Sequence, residues 1–88
     1  MFTLNQIVAL FEQHSQRATY GAVGGVVGRL PRSVMQGRPR NPRNSWVVRQ
    51  ADGLPTGYAT GQVHPALLAR TQVIVSPAGL AQWLLNPS

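Results

Sequence analysis

The sequence predicts a small α+β fold, and three observations lead to this prediction. Apolar residues recur with helical spacing over residues 4–11 and again over residues 80–84. Short β-branched and aromatic runs at residues 46–48 and 73–75 have the composition of strands. The 88 residues include seven Pro and nine Gly, so turns are frequent and each element is short. We expect one winged-helix domain over residues 1–88, in which three helices precede a small β-ribbon, a strand and a final helix.

The first helix is predicted to begin at about residue 4. Thr3 and Gln6 have the spacing of a capping box, in which each side chain accepts a hydrogen bond from the other residue's backbone N–H. An apolar stripe then follows the helical period at Leu4, Ile7, Val8 and Phe11. The polar residues 14–17 end the helix.

A second, shorter helix is predicted over residues 20–27, with Thr19 as its cap. Its buried face consists of Ala22, Val23, Val26 and Val27. Gly24 and Gly25 each weaken a helix by about 1 kcal/mol relative to Ala. They also permit another backbone to approach this helix closely.

A third helix is predicted over residues 31–36, after a turn at residues 28–30. Pro31 suits the first turn of a helix, and Gly37 suits its C-terminal end. Two short helices joined by a turn that contains glycine form the helix-turn-helix pattern.

A loop and a β-ribbon are predicted to follow the three helices. Residues 37–45 consist of Gly, Pro, Arg, Asn and Ser, a composition typical of a solvated loop. Residues 46–48 and 58–60 are predicted as two strands, with a turn at Asp52 and Gly53. This ribbon would be the wing of a winged helix-turn-helix fold.

The last part of the chain is predicted to contain one strand and one helix. A turn begins at His64, and the β-branched residues 73–75 form the strand. Ser76 and Pro77 begin the final helix. Its apolar positions follow the helical period at Leu80, Trp83 and Leu84.

The residues that carry chemistry exclude several kinds of enzyme. The chain has no Cys, which excludes disulfides, a cysteine nucleophile and thiolate-bound zinc. The two acids, Glu12 and Asp52, fall in a helix and a turn, so a catalytic carboxylate pair is not expected. The two His, His14 and His64, lie far apart in the sequence, and we expect no metal site. We therefore expect a binding protein that is not an enzyme and has no cofactor.

The positive charge is concentrated in one part of the chain. Eight Arg, no Lys and two acids give a formal net charge of +6 at pH 7. Six arginines fall within residues 29–49, which contain no acid: Arg29, Arg32, Arg38, Arg40, Arg43 and Arg49. In a winged helix-turn-helix protein these segments meet a duplex, so double-stranded DNA is the predicted partner. Neutralising about four to six phosphates predicts a slope of log K against log salt of roughly −4 to −5.

A less specific interpretation of the arginines is also open. Genome composition can favour Arg over Lys, and a polar loop can be merely solvated. That interpretation explains the choice of Arg, but it explains neither the clustering nor the lack of acids within residues 29–49.

The sequence predicts a cytoplasmic protein that does not bind membranes. Its first residues lack the cationic start of a signal peptide, and no apolar run approaches about 18 residues. The absence of Cys agrees with a reducing compartment.

Many residues between about 18 and 58 occur in the order and approximate spacing of a known family. They are Thr19, Tyr20, Gly21, Gly28, Pro31, Arg32, Ser33, Val34, Asn41, Pro42, Trp46, Val47, Val48, Asp52, Gly53, Gly57 and Tyr58. In this order they resemble the DNA-binding domain of the alkylguanine-DNA alkyltransferases and the alkyltransferase-like proteins. The resemblance implies a winged helix that binds the minor groove, flips an alkylated guanine and fills the gap with an arginine finger.

The resemblance also implies roles for single residues. Tyr20 corresponds to the tyrosine that presses on the backbone beside the flipped nucleotide, and Arg32 corresponds to the arginine finger. Pro31 would hold the helix start that aims this arginine. The DNA contacts expected in this chain are Tyr20, Arg29, Arg32, Ser33, Arg38, Arg40 and Arg43. The expected lesion pocket consists of Ser45, Trp46 and Tyr58.

The chain departs from the family at the reactive position. True alkyltransferases accept the alkyl group on a cysteine within Pro-Cys-His-Arg, but residues 44–48 here contain neither cysteine nor histidine. Counting back from Asp52 places Ser45 at the cysteine position. Trp46, one residue further, matches the tryptophan that alkyltransferase-like proteins have there. We therefore expect binding of alkylated guanine without alkyl transfer.

Two other functions are open on the sequence alone. In the first, the basic face meets an acidic protein partner, and Leu80, Trp83 and Leu84 form a groove for that partner or for a second copy. In the second, the chain binds RNA or undamaged DNA without lesion recognition. The sequence identifies no partner among repair proteins.

Overall fold

The fold is α+β, as the sequence predicts. The computed structural model describes residues 2–68 and 72–87. Its helices are α1 (Leu4–His14), α2 (Tyr20–Val27) and α3 (Pro77–Leu85), and its strands are β1 (Arg17–Thr19), β2 (Val47–Val48) and β3 (Val73–Ile74). Single 3-10 turns occur at Pro31–Ser33, Pro42–Asn44 and Thr60–Gln62. No helix among the described residues is long and apolar enough to cross a membrane.

Helix α1 begins where the capping box predicts. The Thr3 hydroxyl accepts from the Gln6 N–H at 3.2 Å, and the Gln6 side chain accepts from the Thr3 N–H at 2.8 Å. The helix ends at Ser15, which adopts the left-handed conformation at φ 53°. Its predicted stripe faces the core, with Leu4 half-buried and the other three residues fully buried.

Helix α2 also has the predicted bounds and cap, and its glycines lie at close contacts. A Cβ on Gly24 would lie 2.6 Å from the backbone oxygen of Arg29, and a Cβ on Gly25 would overlap the Pro77 ring. The predicted close approach of another backbone is therefore confirmed at Gly24, whereas the close neighbour of Gly25 is a proline side chain. Through Gly25, α2 packs against the start of α3.

The predicted β-ribbon is wrong, because the described strands form a parallel sheet in the order β2-β1-β3. Ala18 in β1 is the register partner of Val47 on one side and of Ile74 on the other. Both residues of β2 are buried, as in a strand covered on both faces, so periodicity gives no sign of its partner. Residues 58–60 form no return strand, and a 3-10 turn begins at Thr60.

Strand β1 is not predicted from the sequence, and it begins at Arg17, the last residue of the polar segment predicted to end α1. The left-handed Ser15 stops the helix, and the chain then enters the sheet with Arg17 buried. Arg17 Nη1 donates to the carbonyl of Gly53 at 2.8 Å, and burial lowers the pKa of its guanidinium. This contact fixes the turn at Asp52 and Gly53, which forms as predicted.

The predicted third helix is also wrong. Pro31–Ser33 is a single 3-10 turn, and further turns follow up to Gly37. Its backbone hydrogen bonds join residues three positions apart; the Ser33 N–H, for example, donates to the Leu30 carbonyl at 3.0 Å. The Ser33 hydroxyl donates to the same carbonyl at 3.1 Å and competes with a longer helix.

Both ends of the fold pack into one core. The buried residues that form this core are Ile7, Phe11, Ala18, Ala22, Val23, Val34, Trp46, Val47, Leu67, Leu80 and Leu84. The prediction of a wholly solvated loop over residues 37–45 is therefore corrected at its end, where Asn44 and Ser45 are buried beside this core. The predicted last strand and helix are confirmed.

Candidate nucleic-acid interface

An open cavity of about 870 Å³ lies where the start of α2 and the turns over residues 31–37 face residues 54–58, which we call the wall segment. The lining residues are Tyr20, Pro31, Arg32, Ser33, Met35, Gln36, Gly37, Arg38, Arg40, Thr56 and Tyr58. Five of the seven predicted DNA contacts are among them, namely Tyr20, Arg32, Ser33, Arg38 and Arg40. Arg29 and Arg43 lie outside this lining.

Tyr20 joins the two sides of the cavity. It is the first residue of α2, directly after Thr19, whose hydroxyl accepts from the Ala22 N–H at 3.1 Å and so fixes the helix start. The Tyr20 hydroxyl accepts from the Thr56 N–H at 3.0 Å. The first turn of α2 is therefore linked to the wall segment.

Arg32 projects from the 3-10 turn on the same side of the cavity. Pro31 opens this turn, and the two hydrogen bonds to the Leu30 carbonyl hold it closed. The Arg32 side chain itself is exposed. A hydrogen-bonded turn therefore places an exposed cation in the cavity lining.

Each of the two acids in the sequence lies close to one arginine of the cluster. Glu12 lies 3.6 Å from Arg43, and Asp52 lies 2.6 Å from Arg49. The hydrogen bond from the Leu54 N–H, and then Arg49, hold the pKa of the Asp52 carboxyl below its ordinary value. Asp52 therefore stays ionised and paired at neutral pH.

Four arginines of the cluster have no acid partner among the described residues, and three of them, Arg29, Arg32 and Arg40, are exposed. Within residues 2–68 and 72–87, no ion pair involves Arg29, Arg32 or Arg40. They are the cations that an incoming anion meets at the lowest cost, because no existing ion pair has to break.

Arg38 has a different position, since the protein's own amides hold it. Its Nη2 donates to Asn5 Oδ1 at 2.7 Å, and its Nε donates to Asn44 Oδ1 at 3.3 Å. Asn44 in turn donates from its side chain to the Pro39 carbonyl at 2.9 Å. Arg38 thereby connects α1 with the loop of residues 38–43, which we call the arginine loop.

Tyr58 adds a second phenol ring to the cavity. Burial raises the pKa of its hydroxyl, and the nearby Tyr20 raises it further, while Arg40 and Arg38 oppose this shift. The Tyr58 hydroxyl is therefore neutral at physiological pH and can donate a hydrogen bond. Of the three residues expected in a lesion pocket, it is the one that lines the cavity.

The other two residues of the expected lesion pocket lie in the core. The Ser45 hydroxyl donates to the Pro42 carbonyl at 2.7 Å and accepts from the His64 N–H at 3.0 Å. Trp46 is fully buried, and its ring centroid lies 4.7 Å from that of His64. Within the described part of the chain, the Trp46 Nε1 has no hydrogen-bond partner.

Five lining residues are not predicted as contacts: Pro31 and Gly37 are predicted only as the ends of the third helix, and Met35, Gln36 and Thr56 have no predicted role. Met35 and Gln36 fall in the segment predicted as the third helix, where neither charge nor aromatic character distinguishes them. Thr56 contributes through its backbone N–H, which any residue except proline provides. Their positions follow from the turn and from the contact with Tyr20.

The groove suggested for a protein partner is not an open surface. Leu80 and Leu84 are buried in the core, and the half-buried Trp83 packs with its ring centroid 5.5 Å from that of Phe11. Helix α3 thus uses its apolar face within the chain.

Comparison of the chain with protein-family models, curated proteins and solved structures gives no significant match.

Proposed function

We propose that this protein binds double-stranded DNA at the face that carries Arg29, Arg32 and Arg40, and that its cavity receives a base extruded from the duplex. The observation that supports this proposal most strongly is the convergence of exposed cations and two tyrosines on one open cavity. Cations without acid partners attract the phosphate backbone, and tyrosine rings provide flat surfaces for a base.

In this proposal, α2 and the turn at Pro31–Ser33 act as a helix-turn-helix whose second helix is reduced to turns. The wall segment stands in the place of a wing. This arrangement is a version of the winged helix that the resemblance to the alkyltransferase-like proteins implies. The position of Arg32 supports the proposal, because an exposed arginine on a short turn can enter a groove.

Alkylated guanine is the base that we propose for the cavity. The volume of about 870 Å³ lies within the range of small-molecule sites, so a purine with a substituent fits. Extruding a base costs a few kcal/mol of unstacking, and the cost is lowest where pairing is already weakened by damage. Arg32 would occupy the gap that the extruded base leaves.

Recognition without reaction is the activity we propose. The sequence has no Cys to accept an alkyl group, and Ser45 is buried and hydrogen-bonded on both sides. A serine nucleophile needs an adjacent base and access to the substrate. The protein would therefore mark the lesion by binding it.

The test compares two labelled duplexes that differ by one O6-alkylated guanine, with affinity measured by fluorescence anisotropy at several salt concentrations. We expect wild type to prefer the alkylated duplex by about tenfold or more, since a specific base contact contributes about 1–3 kcal/mol. Arg32→Ala should remove this preference. The matched control Arg49→Ala removes a charge that is paired with Asp52 and lies outside the cavity lining, and it should keep the preference.

Each other outcome has a defined meaning. Equal affinity of wild type for both duplexes at every salt concentration would exclude lesion recognition and leave general DNA binding. Stronger binding to an RNA duplex of the same sequence would favour the RNA alternative. No binding to any duplex would reject the proposal as a whole.

A further inference from the structure

The Arg40 guanidinium lies close to Gly57. A Cβ built on Gly57 would be 3.1 Å from both Nε and Nη2 of Arg40 and 3.3 Å from its Cζ. The guanidinium therefore takes up the space that a side chain at position 57 would need. Gly57 has φ +75°, in the left-handed region, so glycine both adopts this backbone and leaves room for the guanidinium.

This contact joins the arginine loop to the wall segment. Arg40 belongs to the arginine loop, and Gly57 lies between Thr56 and Tyr58, two lining residues of the wall segment. The wall segment contains neither helix nor strand. The Tyr20 hydroxyl accepts a hydrogen bond from this segment at Thr56, and the Arg40 guanidinium contacts the segment at Gly57.

We propose that Arg40 is a positioning residue that sets the width of the cavity and thereby its selectivity for a base. Its contact with Gly57 sets the distance between the arginine loop and the wall segment, which carries the lining residues Thr56 and Tyr58. This inference rests on the proposed function, because the cavity must receive a base for its width to matter. Arg40 has two separable properties, since its charge attracts phosphate whereas its planar group contacts the glycine.

The chemistry of arginine explains why these two properties can be tested separately. A guanidinium is planar and delocalised, so it can stack on a peptide surface while its N–H groups point outward. A lysine ammonium keeps the charge but has no flat face. Arg40→Lys therefore removes the contact with Gly57 alone, and Arg40→Ala removes the contact and the charge together.

The first experiment needs no DNA and measures amide hydrogen exchange in the free protein. If Arg40 holds the wall segment, exchange at residues 56–58 should be about tenfold faster in Arg40→Lys than in wild type. Arg49→Lys is the matched control, since it makes the same substitution outside the cavity lining. Exchange at residues 56–58 that is the same in Arg40→Lys and wild type would overturn the inference.

The second experiment measures the affinity ratio between alkylated and undamaged duplexes. In Arg40→Lys and in Arg40→Ala this affinity ratio should fall equally, by about tenfold, because neither variant keeps the guanidinium contact with Gly57. Only Arg40→Ala should flatten the slope of log K against log salt, by about 0.9. A purely structural role would change the exchange rates and leave the ratio at its wild-type value, which would overturn the selectivity part.

The two experiments distinguish failure of the inference from failure of the proposed function. If wild type itself shows no preference between the duplexes, lesion recognition is rejected, and the proposed role of Arg40 in selectivity is rejected with it. If wild type shows the preference and Arg40→Lys retains it in full, the proposed function stands and the role of Arg40 is rejected.

Discussion

Arg38 shows that an arginine in a basic loop can serve the fold itself. Its two hydrogen bonds reach Asn5 in α1 and Asn44 beside the core. Hydrogen bonds that involve a charged group contribute about 1.5–3 kcal/mol when well formed and less when exposed. We therefore propose that Arg38 mainly holds the arginine loop in place, and that Arg29, Arg32 and Arg40 attract phosphate.

Arg38→Ala is expected to lower the free energy of unfolding by about 1–2 kcal/mol, because two amide oxygens lose their donor. Urea unfolding followed by tryptophan fluorescence measures this change. Arg29→Ala is the matched control and should change stability by less than about 0.5 kcal/mol, since Arg29 is exposed. Equal stability of the two variants would mean that Arg38 does not anchor the loop.

At the scale of elements, α2 shows how packing can require residues that are poor helix formers. Gly24 is buried, and the backbone oxygen of Arg29 lies only 2.6 Å from where its Cβ would be. Gly21 in the same helix has its nearest neighbour, the Thr19 hydroxyl oxygen, at 3.9 Å from a built Cβ. Alanine at position 21 therefore tests helix propensity alone, whereas alanine at position 24 also tests packing against the Arg29 backbone.

Gly24→Ala is expected to destabilise the protein by about 1–3 kcal/mol, because a backbone carbonyl cannot move aside without shifting the following turn. Gly21→Ala should instead stabilise it by about 0.5 kcal/mol, through the lower backbone entropy of the unfolded chain. Thermal unfolding of both variants checks the pair. A gain of stability in Gly24→Ala would show that the turn after α2 relaxes freely.

At the scale of the whole molecule, the position of the two acids matters more than the net charge of +6. Glu12 approaches Arg43 from α1, and Asp52 pairs with Arg49 within the turn that Arg17 holds. Counting arginines alone predicts a salt slope of about −4 to −5 for duplex binding. Arg29, Arg32 and Arg40 are exposed and have no acid partner, and Arg38 is held by amides, so we expect a slope of about −3.

Glu12→Gln should make this slope steeper by about 0.9, because it releases Arg43 to neutralise one further phosphate. The measurement is anisotropy of an undamaged duplex over a range of KCl concentrations. Gln13→Ala, a neutral change at an exposed neighbour in α1, should leave the slope at the wild-type value. An unchanged slope in Glu12→Gln would mean that Arg43 does not reach the duplex.

Elements set by neighbouring residues could be predicted from the sequence. The capping box at Thr3 and Gln6, the Thr19 cap and the apolar stripe of α1 act within a few positions, and all form as expected. Local hydrogen bonds and helical periodicity are sufficient for these features, because each depends only on residues close in the chain. Tyr20 and Arg32, both predicted as DNA contacts, line the same cavity, but its wall segment is distant in the chain.

Only the tertiary structure decided which distant segments meet. The register partners Ala18 and Val47 are far apart in the sequence, and a run of two or three β-branched residues does not specify a partner or a direction. Burial of Trp46, the pairing of Glu12 with Arg43 and the contact of Arg40 with Gly57 likewise join separate segments. The sequence by itself determined a small basic α+β domain without a cysteine nucleophile. The tertiary structure decided which of the arginines are exposed and without an acid partner, because burial and pairing depend on contacts that are not local.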